Sequence, residues 1–397
     1  MPRSSCSWEG AEALWITAAG WASAAKRNLG DAVVVTSDKI AAPHEVWNYP
    51  LLPDKNGKAK RRKFSLVPAF LKILINDLFT WWNLKNWKVL ENLNLEGRKP
   101  AFIWEKHDLF VGPGKSLATK YNVPFISYVH APVVWEASKW GVKRYWWGKW
   151  LESVEARNLK KADLVAVVSE EVKQKILQMG ISEEKILISP MAVEPELFAH
   201  TKASELRNRL NLTGKTVIGW TGSFRKFHGL DHLIKAFKEV SDQSPETILM
   251  LVGDGSERKD CEELVRKLGI QEKVIFTGRI QFSNIPKYVS LFDIAVVSAR
   301  SGEGFHYSPL KLREYMAAGK AVLAPNAGEI PENFEDENVL KLFNSGDINS
   351  LAEGMCFLIK EEEKRKIIAA NGKDKILKTS TWDIELKKAL EYLEKNK

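Results

Sequence analysis

Residues 301–331 read SGEGFHYSPLKLREYMAAGKAVLAPNAGEIP and hold a loop, a helix and a buried strand in one run. Ser308 suits the N-cap of the helix, and Pro309 suits its first position, where a missing N–H costs nothing. Gly319 can end the helix in the left-handed conformation, after which residues 321–324 are typical of a short buried strand. The stretch therefore predicts one helix–strand unit of an α/β protein.

The same stretch offers a binding site at the start of its helix. Lys311 and Glu314 lie three positions apart and therefore share one helix face, near the positive N-terminal end. With Glu303 and the backbone amides of the preceding loop, they could hold an anionic ligand that is rich in hydroxyl groups. A nucleotide-sugar fits that description.

Short apolar strands alternate with helices along the whole chain. The predicted strands are residues 13–17, 32–36, 101–104, 125–129, 164–169 and 186–189 in the first half, and 217–220, 248–252, 274–276, 294–297 and 321–324 in the second. This alternation predicts two α/β domains with parallel sheets, and ligand sites beyond the carboxyl ends of the strands. We expect domains over residues 1–195 and 196–375, with a C-terminal helix in 376–397 that packs back on the first.

The charge, the cysteine content and the lack of long apolar runs limit the classes of protein to which the chain can belong. The chain has 397 residues, a formal net charge of +9 and a pI near 9.1, which indicates an anionic partner. Its three cysteines have neither a pairing pattern nor metal-ligand spacing, which favours a reducing compartment. We find no signal-peptide pattern and no apolar run long enough to span a membrane, so we expect a cytoplasmic protein.

A basic run precedes an apolar helix in the first half. Six basic residues fall in this run: Lys55, Lys58, Lys60, Arg61, Arg62 and Lys63. The following residues, 67–82, have apolar side chains at helical spacing and end in two tryptophans. Residues 55–82 could therefore contact the cytoplasmic face of an anionic membrane. A solvated loop followed by a core helix is the alternative.

Four ordered motifs carry a family resemblance. They are LVAVVSEEVKQKI with ILISPMAVEPELF, WTGSFRKFHGLDHLIKAF, LMLVGDGSERKDCEEL, and EGFHYSPLKLREYMAAGKAVLA. Together they resemble the retaining nucleotide-sugar glycosyltransferases of family 4, group 1. The resemblance implies a GT-B fold, in which two Rossmann-like domains face a central cleft. The first would bind a glycan, lipid-linked or small-molecule acceptor, and the second a UDP- or GDP-sugar, with no metal or other cofactor.

Two features depart from the family pattern. Ten residues separate Glu303 from Glu314, three more than in the usual paired-glutamate motif, so either Glu303 or His306 fills the first acidic position. In the phosphate loop, Ser223 and His228 occupy the places of the usual arginine and lysine. Arg225 and Lys226 inside the loop could supply the missing charge, which the transition state needs at the leaving phosphate.

The resemblance also implies roles for single residues. Glu314 would accept hydrogen bonds from the ribose hydroxyls and Glu303 from the donor sugar. The donor site would comprise Gly222, Ser223, Arg225, Lys226, Gly253, Gly304, Phe305, His306, Ser308, Lys311 and Glu314. The expected catalytic residues are Glu303, His130, Arg225 and Lys226. On the acceptor side we expect Gly20, in a strand-to-helix turn, and three residues just past strand ends: His107, Asp108 and His130.

Other interpretations remain open at this point. Lys311 could form a surface ion pair with Glu314, and Arg225 and Lys226 could belong to a solvated loop. At the level of the whole protein, the alternatives are a nucleotide-sugar 2-epimerase and a catalytically degenerate relative that serves as a scaffold. Nucleic-acid binding would explain the charge but not the paired α/β domains, so we do not expect it.

Overall fold

The structure is a computed structural model that describes residues 12–36, 39–48, 68–84, 88–95, 97–110, 112–139, 141–199, 203–301 and 308–396. It divides into two compact units. Unit 1 contains Met1–Pro190 and Trp382–Lys397, and unit 2 contains Met191–Thr381.

Unit 1 is built around a parallel sheet in the order β3-β4-β5-β6. Its strands are β1 Val34–Val35, β2 Ile40–Ala41, β3 Ile103–Lys106, β4 Phe125–Val129, β5 Leu164–Val167 and β6 Ile186–Ile188. Its α-helices are α1 Glu12–Leu29, α2 Pro43–Trp47, α3 Ala69–Leu84, α4 Gly114–Tyr121, α5 Val133–Lys139, α6 Tyr145–Leu159, α7 Glu170–Gln178 and α17 Trp382–Lys395. The short strands β1 and β2 form a separate antiparallel pair.

The first predicted strand is wrong. Residues 13–17 lie inside α1, where Leu14, Trp15 and Ala18 are buried at helical spacing. Gly20 lies in the middle of α1 and not in a strand-to-helix turn. A Cβ atom at Gly20 would lie 2.3 Å from the indole of Trp382, so this glycine permits close packing of α1 against α17.

Unit 2 is a six-stranded parallel sheet in the order β12-β11-β10-β7-β8-β9. The strands are β7 Thr216–Thr221, β8 Thr247–Val252, β9 Val274–Gly278, β10 Ile294–Val296, β11 Ala321–Pro325 and β12 Lys341–Phe343. The helices are α8 Pro195–Phe198, α9 Ser204–Arg209, α10 Leu230–Gln243, α11 Arg258–Lys267, α12 Ile285–Ser290, α13 Leu310–Ala317, α14 Ile330–Asn333, α15 Ile348–Lys360 and α16 Glu362–Thr379.

The strand order of unit 2 identifies a ligand crevice. Counted from β7 along the chain, the order is that of a Rossmann fold, and it reverses between β7 and β10. In open parallel sheets, ligands bind outside the carboxyl ends of the strands at such a reversal. The predicted α/β class with two Rossmann-like domains is confirmed, and the carboxyl ends of β7 and β10 locate the candidate site.

Candidate functional site

Two glycines bring the loops after β7 and β8 into backbone contact. Gly222 has φ +146° and Gly253 has φ +139°, values that side chains rarely allow. A Cβ atom at Gly253 would lie 1.9 Å from the carbonyl oxygen of Gly222. These two predicted donor-site glycines therefore lie together at the carboxyl end of the sheet, where a ligand can approach bare backbone.

The buried ammonium group of Lys311 lies close to this loop. Its Nζ atom lies 4.1 Å from the ring centroid of Trp220 and 2.9 Å from the place that a Cβ atom of Gly222 would take. Within the part of the chain that the structure describes, this buried Nζ has no hydrogen-bond partner. Burial lowers the pKa of Lys311 to about 7, and Glu314 opposes the shift. An anionic ligand would supply the partner that the ammonium group lacks.

Glu314 lies one helical turn further along the same face. Its side chain is 5% exposed, and burial raises its pKa to about 7, with Lys311 acting in the opposite sense. The two residues share a helix face as predicted, but no ion pair joins them. Glu314 thus has carboxylate oxygens to offer to hydroxyl groups of a ligand.

Tyr315 fixes α13 to the end of β7. Its hydroxyl oxygen accepts a hydrogen bond from Thr221 N at 2.7 Å and lies 2.9 Å from Thr221 Oγ1. Since Gly222 follows directly, this contact holds Lys311 and the glycine loop in register. The sequence does not predict the contact between Tyr315 and Thr221, because the two residues are distant in the chain and each hydroxyl alone resembles an ordinary polar group.

The start of α13 differs from the prediction. The helix begins at Leu310 with Pro309 in the N-cap position, so Ser308 is not the cap. The Ser308 hydroxyl instead donates to Glu329 Oε1 at 2.5 Å and accepts from Met191 N at 3.2 Å. Glu329 Oε1 also accepts from Arg313 Nη2 at 3.0 Å. Because its hydroxyl is engaged in this buried network, Ser308 anchors the helix start instead of capping it.

The basic residues of the phosphate loop are exposed. Arg225 and Lys226 reach solvent, as does Ser223, and neither cation forms an ion pair with a described residue. His228 is different, because its ring packs 4.1 Å from the ring centroid of Phe227 and 5.4 Å from that of Trp220. Burial, then the charges of Lys311 and Arg225, lower the pKa of His228 to about 2. The loop therefore carries a neutral imidazole beside Lys311.

Four predicted donor residues lie outside the described residues. They are Glu303, Gly304, Phe305 and His306. Their roles, and the choice between Glu303 and His306, stay predictions. Over the described ranges, no group of three or more His, Cys, Asp and Glu side chains is arranged to hold a metal ion.

Three of the four predicted acceptor residues of unit 1 follow strands as expected, and Gly20 does not. His130 comes directly after β4, and its ring lies 5.4 Å from that of Tyr128. His107 follows β3, but its Nε2 is hydrogen-bonded to Glu155 Oε1 at 2.7 Å, and both side chains are buried. Asp108 accepts a hydrogen bond from Leu109 N at 2.7 Å. Their acceptor roles stay predictions, and the Glu155 contact gives His107 a structural role.

The buried pair of Lys311 and Glu314 is expected to create a stability minimum near pH 7. The pKa of Glu314 rises from 4.5 to about 7, so its contribution to stability is complete below pH 4.5 and is lost as the pH rises to about 7. The pKa of Lys311 falls from 10.5 to about 7, so its contribution is complete above pH 10.5 and is lost as the pH falls to about 7.

Urea unfolding at pH 5, 7 and 9 would measure this effect. The free energy of unfolding of the wild type is compared with that of a variant carrying both Lys311→Met and Glu314→Gln. We expect the wild type to be least stable, relative to the variant, at pH 7. A difference that does not change with pH would contradict the assignment of these two pKa shifts.

Two family profiles match the chain. Residues 33–197 match the family described as Glycosyltransferase Family 4, and residues 202–375 match Glycosyl transferases group 1. One similar protein, an uncharacterized glycosyltransferase of Methanocaldococcus jannaschii, is 27% identical over 59% of this chain and 59% of its own length. Another, a GDP-mannose-dependent phosphatidylinositol monomannoside mannosyltransferase of Mycobacterium tuberculosis, is 22% identical over 58% of this chain and 61% of its own length. The chain thus spans about three-fifths of these relatives.

Solved structures share the fold. The HepE protein of Anabaena in complex with UDP has a TM-score of 0.59 at 21% identity, over 71% of this chain and 75% of that one. Sucrose-phosphate synthase of Thermosynechococcus elongatus has a TM-score of 0.60 at 20% identity, over 79% of this chain and 78% of that one. At this level of identity the likeness concerns the fold.

Proposed function

Since the chain belongs to the group 1, family 4 glycosyltransferases, we propose that it transfers a sugar from a nucleotide-sugar to an acceptor, with retention of configuration at the anomeric carbon. The observation that carries the proposal is the buried Nζ of Lys311, which lies beside Gly222 and one helical turn from Glu314. A diphosphate beside Lys311 would place the ribose hydroxyls within reach of the Glu314 carboxylate.

Sugar transfer requires positively charged groups or hydrogen-bond donors near the leaving phosphate. As the bond from the anomeric carbon to the diphosphate breaks, negative charge grows on the phosphate and positive charge on the sugar. Lys311 and the backbone at Gly222 would stabilise the phosphate, and Arg225 or Lys226 could turn inward to add a second cation. Each such donor contributes roughly 3 kcal/mol to the transition state. We propose that these groups act in place of a metal ion.

The donor and acceptor classes follow the relatives. The mycobacterial relative is GDP-mannose-dependent, and the Anabaena protein has been solved with UDP and with UDP-glucose. We propose a UDP- or GDP-sugar as donor, bound by Glu314 through the ribose and by Glu303 through the sugar. The acceptor would be a glycan, a lipid-linked sugar or a small molecule, in polysaccharide or glycolipid biosynthesis.

A thermal-shift panel of UDP-, GDP- and ADP-sugars tests the donor site. A true donor at 100 times its dissociation constant is expected to stabilise the protein by about 2.7 kcal/mol. The Lys311→Met variant, measured beside the wild type, should lose this shift. If no nucleotide-sugar shifts the melting temperature, the proposed function fails. If a nucleotide-sugar binds but the protein neither transfers its sugar nor slowly hydrolyses it, the result would instead favour the non-catalytic scaffold.

We propose that α3 and α6 form a membrane-binding surface. Leu78, Phe79 and Trp82 on α3 and Trp146 and Trp150 on α6 are each more than half exposed. Large apolar and aromatic side chains that stay in water on two neighbouring helices are typical of an interfacial surface.

Buried hydrogen bonds and a ring contact join the two helices. Asp77 on α3 is 4% exposed and accepts hydrogen bonds from Arg144 Nε at 2.9 Å and Trp147 Nε1 at 3.1 Å. The ring of Phe70 on α3 lies 6.0 Å from that of Tyr145 on α6.

One side of α3 packs in the core, since Ile73 and Leu74 contact the buried cluster that contains Trp147, whereas Leu78, Phe79 and Trp82 remain exposed. The basic run at residues 55–63, outside the described residues, would add charge. No helix among the described residues is long and apolar enough to cross a bilayer.

Co-sedimentation with phosphatidylglycerol vesicles tests the surface. We expect the wild type to bind at low salt, and a variant with Trp82→Ser and Trp146→Ser to lose at least about tenfold in affinity, because two interfacial anchors are removed. Ile367→Ser is the matched control, since Ile367 is 57% exposed but lies in unit 2. Equal binding by the double variant and the control would contradict the proposal.

A further inference from the structure

Arg300 is hydrogen-bonded to the turn that carries the two cations of the phosphate loop. It follows β10 at the carboxyl end of the sheet of unit 2, and it is partly exposed. Its Nε donates to Lys226 O at 2.8 Å, and its backbone N–H donates to Phe227 O at 3.0 Å. Its Nη2 donates to Asp231 Oδ1, in the first turn of α10, at 2.5 Å. One arginine therefore joins the turn, the start of α10 and the end of β10.

Two glycines allow other loops to approach the backbone of Arg300 closely. Gly229 has φ +62°, and a Cβ atom there would lie 2.9 Å from the backbone N and Cα atoms of Arg300. Gly346 has φ +84°, and a Cβ atom there would lie 2.9 Å from Arg300 O. A larger residue at either position would push against backbone, which cannot give way as a flexible side chain can. The backbone of Arg300 is thus held in place from two sides.

The loop after β8 fixes the other end of the same turn. Phe224 is fully buried, its N–H donates to Asp254 O at 2.9 Å, and its carbonyl oxygen accepts from Glu257 N at 3.1 Å. Arg225 and Lys226 follow directly, and both are exposed. Their backbone is therefore held at Phe224 on one side and by Arg300 on the other, while their charged side chains reach solvent.

We propose that Arg300 is a positioning residue, which holds the backbone of Arg225 and Lys226 so that their side chains meet the diphosphate of the donor. The inference rests on the proposed function, because it requires a diphosphate at this loop. A cation on a loose turn must be ordered when the ligand binds, and the cost of ordering weakens binding. The charge of Arg300 itself is paired with Asp231. Arg300 therefore acts through the turn and not as a phosphate ligand.

A second arginine of unit 2 makes the same kind of contacts away from the loop. Arg207 donates from Nη1 to Leu291 O at 3.0 Å and from Nη2 to Lys215 O at 2.8 Å, and its Nη2 lies 3.3 Å from Asp293 Oδ2. Lys215 and Asp293 directly precede β7 and β10, so these contacts lie at the amino end of the sheet. Arg207→Gln is therefore the matched control, because it removes one charge and similar bonds at the end of the sheet opposite to the phosphate loop.

Calorimetric titration of the full chain with inorganic pyrophosphate tests the proposal, since pyrophosphate is the charged part of the donor without its nucleoside and sugar. We expect Arg300→Gln to bind pyrophosphate at least about tenfold more weakly than the wild type. In a background that carries Arg225→Met and Lys226→Met, Arg300→Gln should weaken binding by less than about twofold, because the groups that it positions are gone. Arg207→Gln should bind pyrophosphate as the wild type does.

Amide exchange of the ligand-free protein provides a second measurement. The N–H groups of His228 and Gly229 donate to Arg225 O and Lys226 O, so their exchange rates report on the turn itself. We expect Arg300→Gln to speed exchange at these two amides by at least about tenfold, and Arg207→Gln to leave it unchanged. Unchanged exchange in Arg300→Gln would overturn the proposal, whether or not pyrophosphate binds.

Arg300→Lys keeps the proposal testable if the glutamine variant does not fold. Lysine retains the charge beside Asp231 but lacks the planar fork that serves two partners at once. We expect it to weaken pyrophosphate binding by at least about threefold, and only while Arg225 and Lys226 are present. Wild-type affinity in Arg300→Lys would show that charge alone suffices, which overturns the proposal.

The titration also separates this inference from the proposed function. If the wild type binds pyrophosphate and Arg300→Gln loses the same factor with and without Arg225 and Lys226, then Arg300 does not act through these cations. Only the present inference fails in that case. If the wild type binds no pyrophosphate at millimolar concentration, the donor site itself is wrong, and the proposed function fails with it.

Discussion

A Lys311→Met variant is expected to transfer sugar about 10²- to 10³-fold more slowly than the wild type, the usual effect of removing one preorganised donor from a leaving group. Methionine is one atom shorter than lysine but keeps an unbranched apolar side chain near Trp220, and it removes the charge beside Gly222. Because the ammonium group is buried without a partner among the described residues, its removal should not destabilise the ligand-free protein. Steady-state kcat/KM and urea unfolding measure the two effects.

A second substitution in the same background sharpens this test. The ring of His228 lies 5.4 Å from the Trp220 ring over which Lys311 extends, so a lysine at position 228 could bring its charge to the same place. We expect His228→Lys to restore at least about tenfold of the activity lost in Lys311→Met, since a local cation is regained.

Lys235→Met is the control for the loss of a lysine from this unit, because Lys235 is exposed on α10. It should leave kcat/KM unchanged. If Lys311→Met retains wild-type kcat/KM, the leaving phosphate does not depend on this residue, and Arg225→Met and Lys226→Met become the variants to compare.

Most of the fold of unit 2 could be predicted because five of its six strands contain short apolar runs between well-marked helices. The sixth, β12, begins with Lys341 and is missing from the prediction. Gly319 illustrates a well-marked helix end, since it has φ +68° and its N–H donates to Met316 O at 2.9 Å. The next residue, Lys320, donates to Tyr315 O at 3.0 Å, which completes the helix end. Local signals of this kind are independent of the rest of the chain, so the prediction at Gly319 is confirmed.

The start of unit 1 could not be predicted in the same way. The run at residues 13–17 is apolar throughout, and such a short run suits a strand and a buried helix equally. What decides for a helix is tertiary packing, with Gly20 against Trp382 from the far end of the chain. The wrong placement of Gly20 in a strand-to-helix turn follows from this single error.

Within the site, the sequence indicates residue identities but not their contacts. The spacing of Lys311 and Glu314 predicts one shared face, because neighbours on a helix are set by its period. The ring of Trp220 under Lys311 and the bond from Thr221 to Tyr315 depend on which strands are adjacent. That order is fixed by the whole sheet, and no local pattern in the sequence encodes it.

Glu314→Gln is expected to lower kcat/KM by roughly 10²- to 10⁴-fold, because two hydrogen bonds from ribose hydroxyls to a charged group, each contributing about 1.5–3 kcal/mol, are weakened or lost. Glutamine fills the same volume, so the packing of α13 should be preserved. Glu332→Gln is the matched control, since Glu332 is exposed on α14, and it should behave as the wild type.

Binding of 2′,3′-dideoxy nucleotides distinguishes a role of Glu314 in ribose binding from a general loss of activity. The wild type should bind the preferred nucleoside diphosphate at least about tenfold more tightly than its 2′,3′-dideoxy analogue, since the analogue cannot donate to a carboxylate. Glu314→Gln should bind both with similar affinity, because the group that distinguishes them has lost its charge. If the variant still discriminates as the wild type does, the ribose is held elsewhere, and the assignment of Glu314 to the ribose is wrong.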